Sequence, residues 1–477
     1  MPVNSFENYP MSWRPARAAL GSGPLYLALA AALERDVRSG ALPPGTRLPP
    51  QRELADFLDI DFTTVTRAYG VCRAKGLVYG VTGRGTFVAS VPGLAEDEPR
   101  ALIDLGVVQA FPEVGAATVV AAARTVLARE TAGCLFTYGD RDGKRRHRVA
   151  GRQWLARCGV EAPEACVSVF PGVQGAISTA LLAVFGVGDA IAVDPFTYAN
   201  LLAFARLAGT RLVPVAGDAQ GMSPEALDAA AATRGVTGVF LMPNCANPTT
   251  VTLTERRKDE LAAVIARRGL MALEDDASLL PPGRRRRPLQ ARIPDRTVYL
   301  SGTTRLISPG LRATYVCAPP AVCARYFAGL HHAAIKASPL DAEILGELVL
   351  SGAAESALAA KAAKARTANG LFDRVFGLRR AGDPLRLFRT VPLPDTSGRG
   401  PEIERACRDA GVRVFHSDRF AVVRGAKESF LRVSLSSAGG AARLKEGLET
   451  LVRTVWTSAS FGTPVRRGLA TCRRSGL

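Results

Sequence analysis

The sequence has little of what metal centres, secreted scaffolds and membrane spans require. Its 477 residues include only four histidines. The nine cysteines, at 72, 134, 158, 166, 245, 317, 323, 407 and 472, include no CxxC pair. Neither Cys158–Cys166 nor Cys317–Cys323 has zinc-knuckle spacing, and His331-His332 has no cysteine or carboxylate pattern beside it. No metal ligands are therefore expected. An odd number of scattered cysteines fits a reducing, cytoplasmic compartment. The opening MPVNSFENYP lacks the basic start and apolar run of a secretory signal. The uncharged stretch 167–188 is broken by Pro171, Gln174, Ser178, Thr179 and glycines, so no membrane partner is expected.

What is present is an ordinary globular balance, 47% apolar and 22% charged. That excludes wholesale disorder. At about 150 residues per domain, the length suggests two or three domains. Lys and Arg total 61 against 43 acids, a formal net charge of +18. Such a balance suits a nucleic-acid or anionic partner, and equally a genome that favours arginine.

Residues 1–23 read as an N-terminal extension. Apolar positions in 25–40 recur at helical spacing and end in glycine. Residues 50–58 give a second short helix and 62–76 a third. Two β-like runs, Leu77–Val81 and Gly85–Ala89, flank a Gly/Arg turn. Three helices and a hairpin make a winged helix-turn-helix over 24–90. Thr63, Thr64, Thr66 and Arg67 on the third helix offer small donors and a forked cation to a major groove. Arg52 and Arg84 suit phosphate contacts, and Gly85 lets the wing turn tightly. On spacing alone, a plain three-helix domain with a solvated arginine face stands equally open.

Residues 91–102 are acidic and Pro/Gly-containing and read as a linker. Beyond them strands and helices alternate. Strand-like runs fall at 167–170, 190–194, 211–215, 238–243, 271–275 and 297–301. Helical patterns cover 175–185, 201–207, 224–233 and 255–268. This alternation predicts an α/β fold with a mainly parallel sheet, ligands lying at the strand carboxyl ends. Residues 353–369 read as a long Ala-rich helix. The arginine run 284–287 reads as a solvated loop, and 457–477 as a disordered tail.

Two segments carry specific resemblances. The string LPPQRELADFLDIDFTTVTRAYGVCRAKGLVYGVTGRGTFV closely resembles the DNA-binding domain of GntR-type regulators. The ordered motifs IDLG, YGDRDG, VFPGVQGA, DPFTY, PNCANPTT, LEDDA, SGTTRLISPGLR and FLRVSL resemble a fold-type-I aminotransferase domain over 103–456. Head and body together resemble the MocR subfamily, with a small C-terminal α+β subdomain and a double-stranded DNA operator as partner. The resemblance implies a homodimer, with Tyr138 near the cofactor phosphate. It implies that Val173 and Gln174 cradle the phosphate of pyridoxal 5′-phosphate and that Arg312 binds it. Tyr198 would stack on the pyridine ring, Asn247 would bond its hydroxyl and Asp275 would pair with its nitrogen. Arg432 would take a substrate or effector carboxylate. Taken singly, Asp275 is as well read as a strand-end cap and Arg432 as a surface cation.

Three departures break the pattern. Seven positions before Arg312 the family places the Schiff-base lysine, and here Thr304-Arg305 stands. There is no lysine between Lys258 and Lys336. Arginine stays protonated and cannot supply the neutral amine. Ala277 and Ser278 occupy the region where a tyrosine is usual. Lys144-Arg145-Arg146-His147 replaces a milder helix start. The expectation is a regulator without transaminase activity and without catalytic residues. Its pocket would sense a small anionic effector: pyridoxal phosphate held non-covalently, an amino-acid adduct of it, or another ligand. An enzyme with a non-covalent cofactor or a different lysine, such as Lys336, is a second reading. A mere dimerisation scaffold is a third.

Overall fold

The computed structural model describes residues 11–16, 23–38, 41–42, 45–81, 85–89, 102–138, 144–277, 279, 287–378, 383–394, 396–423, 425–426 and 428–457. The chain divides into two compact units, 1–101 and 102–477. Arg84, most of the arginine run and linker, and all but the first residue of the tail lie outside the described residues.

The first unit contains α1 (Leu25–Arg38), α2 (Gln51–Leu58), α3 (Phe62–Ala74), β1 (Val78–Val81) and β2 (Gly85–Val88). The two strands pair antiparallel, Tyr79 opposite Phe87. Local chemistry sets the boundaries. Asp59 ends α2 in the left-handed region at φ 51°, a conformation short polar side chains tolerate. Asp61 then caps α3, its side chain accepting from the Thr63 amide at 2.7 Å. Leu54, Leu58, Val65 and Tyr69 are buried, as the helical spacing requires. Met11 and Trp13, inside the stretch read as an N-terminal extension, join the same core.

The second unit begins with β3 (Ile103–Asp104), α4 (Ala116–Arg129), α5 (Ala132–Leu135) and α6 (Arg145–Arg157). Next come β4 (Val167–Phe170), α7 (Gly172–Ala183), β5 (Ala190–Val193), α8 (Ala199–Ala208) and β6 (Arg211–Pro214). A small hairpin, β7 (Gly217–Asp218) and β8 (Gly221–Met222), precedes α9 (Pro224–Thr233) and β9 (Val236–Leu241). Then follow α10 (Glu255–Arg268), β10 (Met271–Asp276), β11 (Thr297–Ser301), α11 (Thr303–Leu306) and β12 (Thr314–Cys317). Three helices follow: α12 (Pro320–Ala334), α13 (Pro339–Leu350) and α14 (Ala353–Val375). The C-terminal part adds β13 (Phe388–Leu393), α15 (Gly400–Asp409), β14 (Val412–Arg413), β15 (Phe415–His416), β16 (Ser429–Ser434) and α16 (Ala441–Thr457).

Seven strands form the main sheet in the order β4-β12-β11-β10-β9-β5-β6. The pairs β5/β6, β5/β9, β9/β10 and β10/β11 are parallel, while β12 runs antiparallel to both neighbours. The mainly parallel α/β sheet is as expected. Strand β12 adds an antiparallel element that the strand-like runs did not include. A second antiparallel sheet, β13-β16-β15, gives the small C-terminal subdomain. The central strands are buried along nearly their whole length, which a sheet covered on both faces demands.

Helix starts follow ordinary capping. Ser223 caps α9 with Pro224 in its first turn, and Thr254 caps α10, which stops at Gly269. One backbone position stands out. Ile335, between α12 and α13, has φ 60° and ψ −65° and is 41% exposed. A β-branched residue there is strained and gains little from burial. Replacing it with glycine is expected to stabilise the unit by about 1 kcal/mol. A denaturation midpoint that does not rise would contradict the strain.

Candidate functional site

In the first unit most of the DNA-binding candidates reach solvent. Thr63 and Arg67 on α3 are exposed and Thr64 is half-buried. The Arg67 guanidinium lies over the Tyr26 ring at 5.9 Å, and exposed Arg52 over Phe62 at 5.8 Å. Thr66 is already engaged, its hydroxyl donating to Gln51 Oε1 at 2.8 Å or to the Phe62 carbonyl at 3.0 Å. Gly85 is exposed with φ 114°, open only to glycine without strain. Two arginines were not singled out from the sequence. Arg47 lies against Gly85 and Arg73 against Gly80, where an added Cβ would come within 3.1 Å and 2.9 Å of their side-chain nitrogens. Only the wing's fold brings them there.

In the second unit the chain leaving the carboxyl ends of β4, β5, β10 and β11 lines a cavity with about 590 Å³ of empty space, open to solvent. Val173, Gln174, Tyr198, Arg305 and Arg312 line it, together with Val108, Gln109, Ala277, Gly302 and Pro309. Val173, Gln174, Tyr198 and Arg305 come from the starts of helices or just before them. Val173 and Gln174 sit in the first turn of α7, a 12-residue helix that starts at Gly172 with φ 75°. No side chain caps that helix, so its first N–H groups can meet an anion. Tyr198 is the residue before α8. Arg305 projects from α11. Gly302 allows α11 to begin hard against the end of β10, since a Cβ there would sit 2.4 Å from the Ala277 Cβ.

Beside the lining residues stand three buried polar groups. Asp275, at the end of β10, is 1% exposed, and neither carboxylate oxygen has a hydrogen-bond partner among the described residues. Arg305 Nη2 lies 3.9 Å from its Oδ2. Burial raises the Asp275 pKa, and the Arg305 charge opposes that rise. Arg432, on β16, donates from Nη1 to Asn247 Oδ1 at 2.8 Å and from Nη2 to the Gly106 carbonyl. Its guanidinium is caged by Phe420, Phe415 and Phe388 at 4.8, 5.4 and 5.8 Å. Its Nε is buried without a partner. Burial, with the Arg305 charge adding, pushes its pKa down to about 9. Asn247 is held in a tight loop: the Thr250 amide donates to the Ala246 carbonyl at 2.6 Å, and Ala246 to Val251 at 2.8 Å. Cys245 and Thr250 both adopt positive φ there, 67° and 63°. The Tyr198 hydroxyl accepts from Asn200 at 3.1 Å, and burial raises its pKa.

Of the aminotransferase-derived candidates, Tyr138 stands apart. It is 71% exposed and does not line the cavity. Its carbonyl accepts from Lys336 Nζ. The Thr304 side chain lies outside what is described. No lysine is among the lining residues. Val108 and Gln109 were not read from the sequence, because an irregular segment carries no periodic signal; Pro309 stood in the motif SGTTRLISPGLR but was not singled out. Gly302 had a signal: a glycine directly after a strand run.

Lys144, Arg146 and His147 do not line the cavity. They make ion pairs with Glu343 and Glu347 of α13 instead. Among the described residues no metal-binding cluster occurs, and no helix is long and apolar enough to cross a membrane.

The comparisons with known proteins agree with both units. The model "Bacterial regulatory proteins, gntR family" matches residues 25–88, and "Aminotransferase class I and II" matches 101–451. The chain is 32% identical to the uncharacterized HTH-type transcriptional regulator YdeF of Bacillus subtilis, over 95% of this chain and 99% of that protein. It is 27% identical to the vitamin B6 salvage pathway transcriptional repressor PtsJ of Salmonella typhimurium, over 61% and 67%. Among solved structures it resembles an archaeal alanine:glyoxylate aminotransferase at TM-score 0.67 and 19% identity, covering 75% of this chain and 91% of that one. LysN, the alpha-aminoadipate aminotransferase of Thermus thermophilus, complexed with N-(5′-phosphopyridoxyl)-L-leucine, gives 0.65 and 21%, covering 74% and 92%. The structural likenesses carry the fold, and the full-length likeness to an HTH-type regulator joins the two units in one protein. The chain belongs to the MocR type of GntR-family transcriptional regulators, a winged helix-turn-helix fused to an aminotransferase class I and II domain.

Proposed function

We propose that this regulator reads its operator through α3 and the wing, and senses a phosphorylated pyridine ligand held without a covalent bond. The observation that carries the reading is the buried, unbonded carboxylate of Asp275 at one side of a cavity with no lysine in its lining. A buried carboxylate without donors is costly unless a ligand satisfies it. A protonated ring nitrogen does so. Asn247, whose Oδ1 accepts from Arg432, would offer its Nδ2 to a ring hydroxyl. The α7 start with Val173 and Gln174, together with Arg312, would hold a phosphate. Tyr198 would stack on the ring, and Arg432 would take a carboxylate. When bound, the group supplies a ring cation, a hydroxyl and a phosphate dianion. The residues present therefore fit pyridoxal phosphate or its amino-acid adduct, though not its covalent attachment. The vitamin B6 salvage repressor among the relatives points the same way. Without the amine, transamination has no starting group, and the domain acts as a sensor.

In a homodimer, the expected assembly, exposed Tyr138 would reach the site of the second copy, and two heads would read two half-sites. Ligand binding would shift operator affinity by favouring one arrangement of the protein.

The DNA half is tested by Arg67→Ala. Operator affinity is expected to fall tenfold or more, about 1–3 kcal/mol for a lost base contact, with the unfolding transition unchanged. Undiminished affinity would remove α3 from the interface. The sensing half is tested by calorimetry of the full chain with phosphopyridoxyl ligands. Saturable heat with no borohydride-fixed mass supports it, and no heat with any of them contradicts it.

A further inference from the structure

Arg305 does more than fail to replace a lysine. Asp275 has one ion-pair partner among the described residues, and it is Arg305. That ion pair is also the one polar contact described for the Arg305 side chain. At 3.9 Å the two are attracted but not hydrogen-bonded, so the pair is loose. The guanidinium also acts electrostatically on Tyr198 and on Arg432. It therefore lies close enough to feel both the group that would stack on a ring and the group that would take a carboxylate, and with Tyr198 it lines the cavity. Among the described residues Arg432 bonds only neutral oxygens, those of Asn247 and Gly106.

We infer, resting on the cofactor-site reading above, that the Arg305 guanidinium occupies the ring subsite as a built-in counterion of Asp275, and that the favoured ligand is a phosphopyridoxyl group whose 4′ arm carries a carboxylate. A protonated pyridine pairs with Asp275 only by displacing the guanidinium. If the ligand brings nothing but ring and phosphate, Arg305 and Arg432 are left as two enclosed cations without an anion. That is an expensive arrangement for two cations so little exposed, Arg432 at 6% and the Arg305 side chain at 17%. A carboxylate on the arm supplies the missing anion. The site thus discriminates against the bare vitamer and in favour of its amino-acid adduct, through one side chain.

The test titrates the full chain calorimetrically with two probes. Pyridoxine 5′-phosphate has no aldehyde, so no lysine elsewhere can capture it. N-(5′-phosphopyridoxyl)-L-leucine replaces the 4′ hydroxyl by a leucine, adding a carboxylate with a secondary amine and an isobutyl group, so the contribution of Arg305 is read from how the preference changes in its variants. The unaltered protein is expected to prefer the second probe by tenfold or more. Arg305→Ala is expected to bind pyridoxine phosphate about tenfold more tightly than the unaltered protein and to lose most of that preference. Arg305→Met, which keeps the volume, is expected to do the same, so enlarged space alone does not account for the gain. Weaker binding of pyridoxine phosphate by both variants would overturn the inference, making Arg305 an ordinary anion ligand while leaving the cofactor-site reading intact. No binding of either probe by any of the three proteins would remove the cofactor-site reading itself, and the inference with it.

Discussion

Arg305→Lys should gain a covalent cofactor. Incubated with pyridoxal phosphate and then borohydride, the variant is expected to carry one phosphopyridoxyl mass on the peptide containing position 305. The unaltered chain should carry none on that peptide. The difference is chemical. A guanidinium stays protonated throughout the usable pH range, whereas an ammonium enclosed near other cations readily gives up its proton. The surroundings need no rebuilding, because Tyr198, Arg312, Asp275 and Asn247 already stand round the same cavity or beside it. Arg305 is 17% exposed and projects from a short helix held by its own backbone bonds, so the smaller lysine fits without disturbing the core. An unmodified peptide at saturating pyridoxal phosphate would mean that the ring never reaches this end of the cavity.

The second large effect is on stability. Glu343→Gln is expected to cost about 2 kcal/mol at neutral pH. Glu343, on α13, lies 2.8 Å from Lys144 Nζ and 3.0 Å from His147 Nε2, and accepts from Arg129 Nη2 at 3.5 Å. Glu347 takes Arg129 and Arg146, both at 2.7 Å. Removing one partner of a fully buried pair typically costs 3–5 kcal/mol. The figure here is lower because Lys144 and Arg129 are 35% and 37% exposed, so water screens them. Burial alone would raise the Glu343 pKa, but the hydrogen bonds from His147 and Lys144 outweigh it and hold it down at about 2. A carboxylate depressed on folding stabilises above its unfolded pKa, about 4.3, and that contribution is lost as the pH falls toward 2. Calorimetric unfolding should therefore show Glu343→Gln less stable at pH 7 and flatter in its response between pH 4 and 2. Equal midpoints at pH 7 would make the cluster a solvated surface feature.

The same cluster shows where sequence reading stopped. Lys144-Arg145-Arg146-His147 was visible as a departure from the aminotransferase pattern, a basic run where a milder helix start is usual, and was read with the other two departures as an argument against transamination. Its partners lie some 200 residues away on α13, a pairing that no local spacing encodes. The winged helix-turn-helix was legible because its signals are local: an N-cap aspartate, a helical apolar stripe and a glycine wing. The central strands were legible as apolar runs between helices. Strand β12 was not, since Thr314–Cys317 follows the Pro-Gly-Leu-Arg turn closely and runs against its neighbours.

In the pocket, residues at strand ends and helix starts were named from their motifs, and the fold brings most of them to one place. Val108 and Gln109 reach it from an irregular segment, where neither period nor motif marks a position, and Pro309 belongs to the motif SGTTRLISPGLR without having been singled out. The loose pairing of Arg305 with Asp275 was likewise out of reach. The sequence shows an arginine thirty positions from an acid, and only the β10/β11 register brings the strand ends together.

The most direct test of the account measures operator binding of the full chain with and without N-(5′-phosphopyridoxyl)-L-leucine, on a duplex selected from random sequence. The ligand has no aldehyde and can act only by occupying the site. The account predicts a shift in operator affinity of fivefold or more, the ordinary scale of coupling between two sites, abolished in Arg432→Ala. An operator isotherm unmoved by saturating ligand would contradict it and leave the aminotransferase fold as a scaffold for the DNA-binding head.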